Sequence, residues 1–178
     1  MPGQQRLSQG LVHVYTGNGK GKTTAAIGLA VRAAGAGLRV YIAQFIKGQA
    51  YSEIEALRSF EGQITVRQFG RGCFIRATPT AEDIRMAEQG VAEVRRILDE
   101  GEHDVVILDE ANVAVTLGLF PVDTLLGWIE AKPPHTELVF TGRNAPPSLT
   151  AKANLVTEMR EIKHYYADGV HARTGIES

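Results

Sequence analysis

Short apolar runs alternate with helix-period segments along most of the chain. Residues 11–15 (Leu-Val-His-Val-Tyr) read as a strand, and the alanine-rich stretch that follows reads as a helix to about residue 36, stopped by Gly35 and Gly37. Residues 38–45 predict a second strand, and 51–60 a short helix with Ile54, Leu57 and Phe60 on one face. Residues 63–69 alternate as a strand does. Thr80 followed three residues on by Asp83 is a capping box, opening a long helix to about residue 100 with Ile84, Ala87, Val91, Val94, Ile97 and Leu98 inward. Residues 105–108 (Val-Val-Ile-Leu) are the clearest buried strand. Helices are expected over 113–119 and 122–131, a strand over 137–141, a short helix near 148–153 and a last strand near 155–159. From residue 160 the chain is polar and aromatic with little periodicity. Strands alternating with helices predict a parallel sheet covered on both faces by right-handed crossovers.

The junction of the first strand and first helix carries the strongest chemical signal. It reads Thr16, Gly17, Asn18, Gly19, Lys20, Gly21, Lys22, Thr23, Thr24. Strand, glycine-rich turn and Gly-Lys-Thr opening a helix is the layout of a phosphate-binding P-loop. Backbone N–H groups wrap the anion, the helix N-terminus adds its positive end, and Lys22 and the Thr23 hydroxyl serve phosphate and magnesium. The usual spacing would place a glycine where Thr16 stands. This start narrows the expectation to a P-loop NTPase-like, RecA-like three-layer α/β sandwich with a mostly parallel sheet.

Asp109 and Glu110 close the buried strand. Such a pair alone reads as a helix cap or a solvated turn, but beside a P-loop it takes the form of a Walker B segment that completes a magnesium site. Lys47, after the second strand, and Arg143, after the strand at 137–141, fall at the carboxyl edge where open parallel sheets bind ligands. Arg143 reads equally as a surface arginine. Arg32 reads by position as a solvated helix residue, and His13 as a structural histidine. Cys73 has no histidine or cysteine at metal-ligand spacing, and His164 and His171 read as surface or nucleotide-adjacent residues.

Composition adds bounds. With 178 residues, 44% hydrophobic and 22% charged, the chain suits one α/β domain over residues 10–178 behind a polar, flexible extension at 1–9. A net charge of -1 supplies no electrostatic argument for nucleic acid. No apolar run approaches a membrane span, the first ten residues lack a signal-peptide core, and a single cysteine allows no intramolecular disulfide. A cytoplasmic protein is the expectation.

The loop 16–24, together with Gln44-Phe45-Ile46-Lys47-Gly48, Leu108-Asp109-Glu110, Thr141-Gly142-Arg143 and the C-terminal Glu158-Met159-Arg160-Glu161-Ile162-Lys163-His164, resembles the ATP:cob(I)alamin (corrinoid) adenosyltransferases. The resemblance runs from about residue 10 to the end, and this family's loop has Thr16's form. It implies transfer of the 5′-deoxyadenosyl group of ATP to the cobalt of a reduced corrinoid with release of triphosphate. It implies ATP contacts from Gly17, Asn18, Gly19, Lys20, Gly21, Lys22, Thr23, Thr24, Arg32 and Arg143, with Lys22 and Lys20 catalytic and Mg²⁺ on Thr23 and Glu110. Corrinoid contacts fall to Lys47, Gly72, Cys73, Phe74 and Ile75, where relatives place aromatic side chains that exclude the lower axial ligand. A homodimer and a reductant protein such as a flavoprotein are the implied partners. A P-loop ATPase or kinase acting at the γ-phosphate, and a corrinoid carrier without turnover, are the competing readings.

Phe74→Ala is expected to slow reaction from Co(II) more than from pre-reduced Co(I), measured on both substrates; equal loss would remove its ligand-excluding role.

Overall fold

The computed structural model describes residues 6–49, 51–72 and 78–177. The chain runs β1 (Val12–Thr16), α1 (Lys22–Gly35), β2 (Val40–Phe45), α2 (Ser52–Leu57), β3 (Ile64–Phe69), α3 (Ala81–Glu100), β4 (Val105–Asp109), α4 (Ala111–Thr116), α5 (Val122–Ala131), β5 (Glu137–Thr141), α6 (Pro147–Lys152) and β6 (Leu155–Glu158). Single 3-10 turns follow α2 and occupy Tyr165–Asp168. The helix expected over 51–60 is therefore split. The second strand starts at Val40, two residues later than expected, because Leu38 still donates to the Ala33 carbonyl in the turn after α1.

Every strand pairing is parallel, in the order β3-β2-β4-β5-β1-β6. Period-two alternation sends side chains to two cores. From β2 and β4, Val40, Ile42, Val105 and Ile107 pack with Ala26, Ala30, Ala33 and Ala34 of α1. Their neighbours Tyr41, Ala43, Phe45, Val106 and Leu108 pack on the other face with α3, α4, α5 and α6. The sheet is thus the middle of three layers. Phe45, Phe120 and Trp128 fill the second core, with ring centroids 5.2 to 6.0 Å apart.

The capping box forms as its spacing predicts. The Thr80 hydroxyl accepts from the Asp83 N–H at 3.3 Å, and the Asp83 carboxylate accepts from the Thr80 N–H at 2.8 Å. Arg71 donates twice to the same carboxylate, at 2.7 and 3.0 Å, and with Thr80 holds the Asp83 pKa down to about 2. This ties the loop after β3 to the start of α3. Of the extension expected over 1–9, residues 1–5 lie outside the described residues. Arg6 donates to the Gly101 carbonyl at 3.1 Å.

Because all strands run one way, the loops after β1, β2, β4 and β5 share one edge of the sheet. The order also inserts β5 between the loop-bearing β1 and the acidic end of β4. The first helix must reach across that inserted strand to meet β4.

α3 approaches the sheet closely at Gly90, where a methyl carbon would lie 2.7 Å from the Phe45 ring and 2.8 Å from the Phe69 ring. Gly90→Val is expected to lower stability by about 1–3 kcal/mol through overpacking, read from urea denaturation midpoints. An unchanged midpoint would mean that the helix can move off the sheet at no cost.

Candidate active site

Asp109, the last residue of β4, is 1% exposed. A carboxylate at that depth requires donors on its lone pairs. It has four. Oδ1 accepts from the Thr23 hydroxyl at 2.9 Å and the Thr141 hydroxyl at 2.7 Å. Oδ2 accepts from the Lys47 ammonium at 2.8 Å and the Gln44 amide at 3.1 Å. One carboxylate therefore joins α1, β2, β4 and β5. Burial alone would lower the Lys47 pKa, but the charge and hydrogen bond of Asp109, together with the charges of Glu110 and Glu53, outweigh it and the net shift is upward.

The loop 17–21 is braced from behind by the chain leaving β6. The Gly19 N–H donates to the Met159 carbonyl at 2.7 Å. A methyl carbon on Gly17, where φ is 96°, would lie 2.4 Å from that oxygen. Glycine is needed there for both conformation and space. Thr16 ends β1 as an ordinary strand residue, and its hydroxyl accepts from the Ala145 N–H at 3.2 Å, pinning the segment after β5. The off-pattern threonine thus has a structural task. Lys22 is buried, its ammonium donates to the Gly19 carbonyl at 2.6 Å, and burial lowers its pKa. Lys20 is exposed at the mouth.

Glu110 follows Asp109 with a φ of 60°. Its N–H donates to the Thr141 hydroxyl at 3.0 Å. Among the described residues, its carboxylate accepts no hydrogen bond. Among the described residues, Ile46 and Asn144 are the other non-glycine residues with positive φ, at 70° and 56°. All three lie just past the carboxyl ends of β2, β4 and β5, and strained backbone of this kind clusters at ligand sites. Burial raises the Glu110 pKa and Asp109 adds to it; Lys47, Lys22 and Arg143 pull the other way. A hydroxyl from Thr23 and this unpaired carboxylate are hard oxygen donors, which suits Mg²⁺ completed by waters and phosphate.

Two cavities meet at this point. One, of about 680 Å³, runs from the loop and first turn of α1 to α2 and the C-terminal segment, including Glu161, His164 and Ile176. The other, of about 400 Å³, lies between Ile46, Gly48 and Gly72 on one side and Val113 and Leu117 on the other. Lys22, Lys47, Tyr51, Glu110 and Arg143 line both. Each cavity is large enough for part or all of a small-molecule ligand.

The sequence profile of the family described as ATP:corrinoid adenosyltransferase BtuR/CobO/CobP matches residues 8–178. The chain belongs to this family. Its relatives include the corrinoid adenosyltransferase of Pseudomonas aeruginosa, 36% identical over 98% of this chain and 86% of that protein. Corrinoid adenosyltransferase CobA of Salmonella typhimurium is 33% identical over 98% of this chain and 88% of that protein. Family membership supports ATP-dependent adenosylation of corrinoids as the activity. The fold is also seen in the KaiC-like protein PH0186 from Pyrococcus horikoshii OT3, at a TM-score of 0.59 and 14% identity, covering 88% of this chain and 76% of that one. The flagellar accessory protein FlaH from Methanocaldococcus jannaschii matches at a TM-score of 0.58 and 11% identity, covering 85% and 72%. Those likenesses establish the P-loop NTPase-like fold.

In this adenosyltransferase-family chain, the expected residues Asn18, Lys20, Gly21, Lys22, Thr23, Thr24, Glu110 and Arg143 line the larger cavity. Gly17 and Gly19 form its backing against Met159. Arg32 lies elsewhere, exposed in the last turn of α1, about 15 Å along the helix axis from Lys22, and lines neither cavity. The expectation of a nucleotide contact there is not met by the cavity of one chain. Lys47 and Gly72 reach the smaller cavity, but the Lys47 ammonium is bound to Asp109. Cys73, Phe74 and Ile75 lie outside the described residues. Asp109, expected with Glu110 as an acidic pair at the magnesium site, instead joins the strands, and Gln44 and Thr141, its other donors, were not expected as site residues. Their signal was present: polar residues ending otherwise apolar, buried strands. The tail also lines the cavity, with no periodicity to announce it.

A raised carboxylate pKa means that the folded chain binds the proton more tightly than the unfolded chain, so stability falls as pH rises from 4.5 through the raised value. Glu110→Gln is expected to raise the melting temperature at pH 7 to 8, with the gain vanishing as pH falls to 4.5. A melting temperature at pH 7 no higher than that of the unsubstituted chain would contradict the half-buried, ionised carboxylate.

Proposed function

We propose that the chain transfers the 5′-deoxyadenosyl group of ATP to the cobalt of a reduced corrinoid and releases triphosphate. The observation that carries this reading is the pair of adjoining cavities that share Lys22, Glu110 and Arg143. The larger has the anion-binding loop and accommodates the nucleotide. The smaller has an apolar wall at Ile46, Val113 and Leu117 and accommodates the edge of the corrin acceptor. A transfer between two bound substrates needs such a shared wall, since their reacting atoms must approach to about 3–3.5 Å.

The electron pair of Co(I) attacks C5′ of the ribose, a cobalt–carbon bond forms, and the C5′–oxygen bond breaks. Its electrons leave on the triphosphate. No general base is required, because the attacking metal carries no proton. The protein's task is to orient the two substrates and to meet the charge that develops on the leaving oxygen. We assign this to backbone N–H groups at the start of α1 and in the loop other than that of Gly19, which is bound to Met159, together with the Lys22 and Lys20 ammonium groups, which line the larger cavity. Mg²⁺ on Thr23 and Glu110 would add neutralisation of the triphosphate. The corrinoid acceptor is cob(I)alamin, cobinamide or cobyrinic acid a,c-diamide. Gly72, which begins the segment read as contacting the corrin, lines the smaller cavity, which supports this assignment. A homodimer supplied with electrons by a flavoprotein in the cytoplasm completes the proposal.

The deciding experiment supplies ATP, Mg²⁺, a corrinoid and a strong reductant, then follows the corrinoid spectrum and identifies the phosphate product. Triphosphate with a new cobalt–carbon bond is expected; orthophosphate without one would favour γ-phosphate chemistry and sink the proposal. Lys22→Ala is expected to lower kcat by about a hundredfold or more. A near-normal rate would show that the loop does not hold the leaving group.

A further inference from the structure

In P-loop NTPases the loop Ser/Thr and the strand-end Asp together hold Mg²⁺. In this chain an ammonium fills the corresponding corner. Lys47 Nζ lies 2.8 Å from Asp109 Oδ2 and 3.2 Å from the Thr23 hydroxyl oxygen. We propose that Lys47 is a built-in cation that fills the corner between Thr23 and Asp109 and so confines the divalent ion to the Glu110 side of the site.

Three observations carry this. The first is saturation. Asp109 accepts from Thr23, Thr141, Lys47 and Gln44, one donor for each of its roughly four lone-pair sites. A metal could enter its coordination only by expelling one of them. The second is the contrast with its neighbour. Glu110 has no hydrogen-bond donor on its carboxylate among the described residues, and it faces both cavities. The third is rigidity. Lys47 leaves β2 through the positive-φ turn at Ile46, closed by a Lys47 N–H bond to the Phe45 carbonyl at 2.7 Å. That turn is packed backbone to backbone against the loop after β3. A methyl carbon on Gly70 would lie 2.2 Å from the Ile46 carbonyl, and one on Gly48 would lie 2.0 Å from the Gly70 oxygen. The ammonium is held in place by its backbone as well as by its ion pair.

The consequence is positional. A metal on Asp109 would sit at the floor of the loop. A metal kept to Glu110 would be held by a residue that, like Arg143, lines both cavities, where the proposed leaving triphosphate and acceptor would meet. Lys47 is then a positioning residue acting through Asp109 and Thr23. The inference rests on the nucleotide phosphates occupying the loop, as proposed above.

The test is a Mn²⁺ titration by electron paramagnetic resonance, without nucleotide or acceptor, so that its failure is separate from any failure of the transfer reaction. Lys47→Met is expected to bind Mn²⁺ at least about tenfold more tightly than the unsubstituted chain, because Asp109 is freed to act as a second carboxylate. The double variant Lys47→Met with Asp109→Asn should lose that gain, and Lys47→Arg should not show it. Equal Mn²⁺ affinity for the unsubstituted chain and a folded Lys47→Met variant would overturn the proposal. Should Lys47→Met fail to fold, the unsubstituted chain decides. The exchange-protected Lys47 ammonium signal in nitrogen-detected NMR should persist when Mg²⁺ and ATP are added, and its loss would mean that the metal displaces the lysine.

Discussion

The Asp109 carboxylate is the constraint on which the rest of the site depends. Burying an ion at 1% exposure is unfavourable unless its charge is paired and its lone pairs are filled. The chain satisfies it from four directions, and each donor comes from an element that must be placed for binding. Thr23 fixes the first turn of α1, Thr141 the end of β5, and Gln44 and Lys47 the end of β2. The strand order explains the need. With β5 between β1 and β4, the strand that leads into the loop is not next to the acidic strand; α1 crosses over to pack on β4, and Thr23 and Thr141 meet there at Asp109.

The packing of the layers serves the same edge. α1 meets the sheet through alanines, which lets its N-terminal turn sit low against the strand ends. α3 presses on the other face at Gly90, and the capping box with Arg71 ties its start to the loop after β3. The strained residues Ile46, Glu110 and Asn144 fall where three strands leave this packed frame. Tight layers below and three forced turns above place side chains that an unstrained exit would aim elsewhere.

The chemistry inferred for the site asks for little proton movement and much charge management. Lys22 is buried and bound to a loop carbonyl, Lys47 is neutralised by Asp109, and Arg143 stands exposed at the shared wall. The positive groups are thus graded from fixed to free. Glu110 is an acidic group whose pKa burial and Asp109 raise and whose carboxylate accepts no hydrogen bond among the described residues, and such groups mark functional positions. Its raised pKa is a stability cost located where a cation would relieve it.

Much of this was legible in the amino-acid order. The apolar runs at 105–108 and 137–141, the capping box at Thr80 and the loop 16–24 are local patterns, and local patterns survive without knowledge of neighbours. Most of the strands and helices fall within a residue or two of expectation for that reason. The order of strands, the insertion of β5 and the return of the tail over the loop depend on contacts between residues far apart in the chain. So does the division of labour between Asp109 and Glu110, which are adjacent and chemically alike in sequence. Only the fold shows that one is sealed by four donors while the other opens on two cavities. The same holds for Lys47, whose position at a strand end pointed to the cavity but whose ammonium turned to a buried carboxylate on the neighbouring strand. The sequence determined which chemistry the chain carries; the tertiary structure decided which atoms are free to perform it, because that depends on what each buried charge finds beside it.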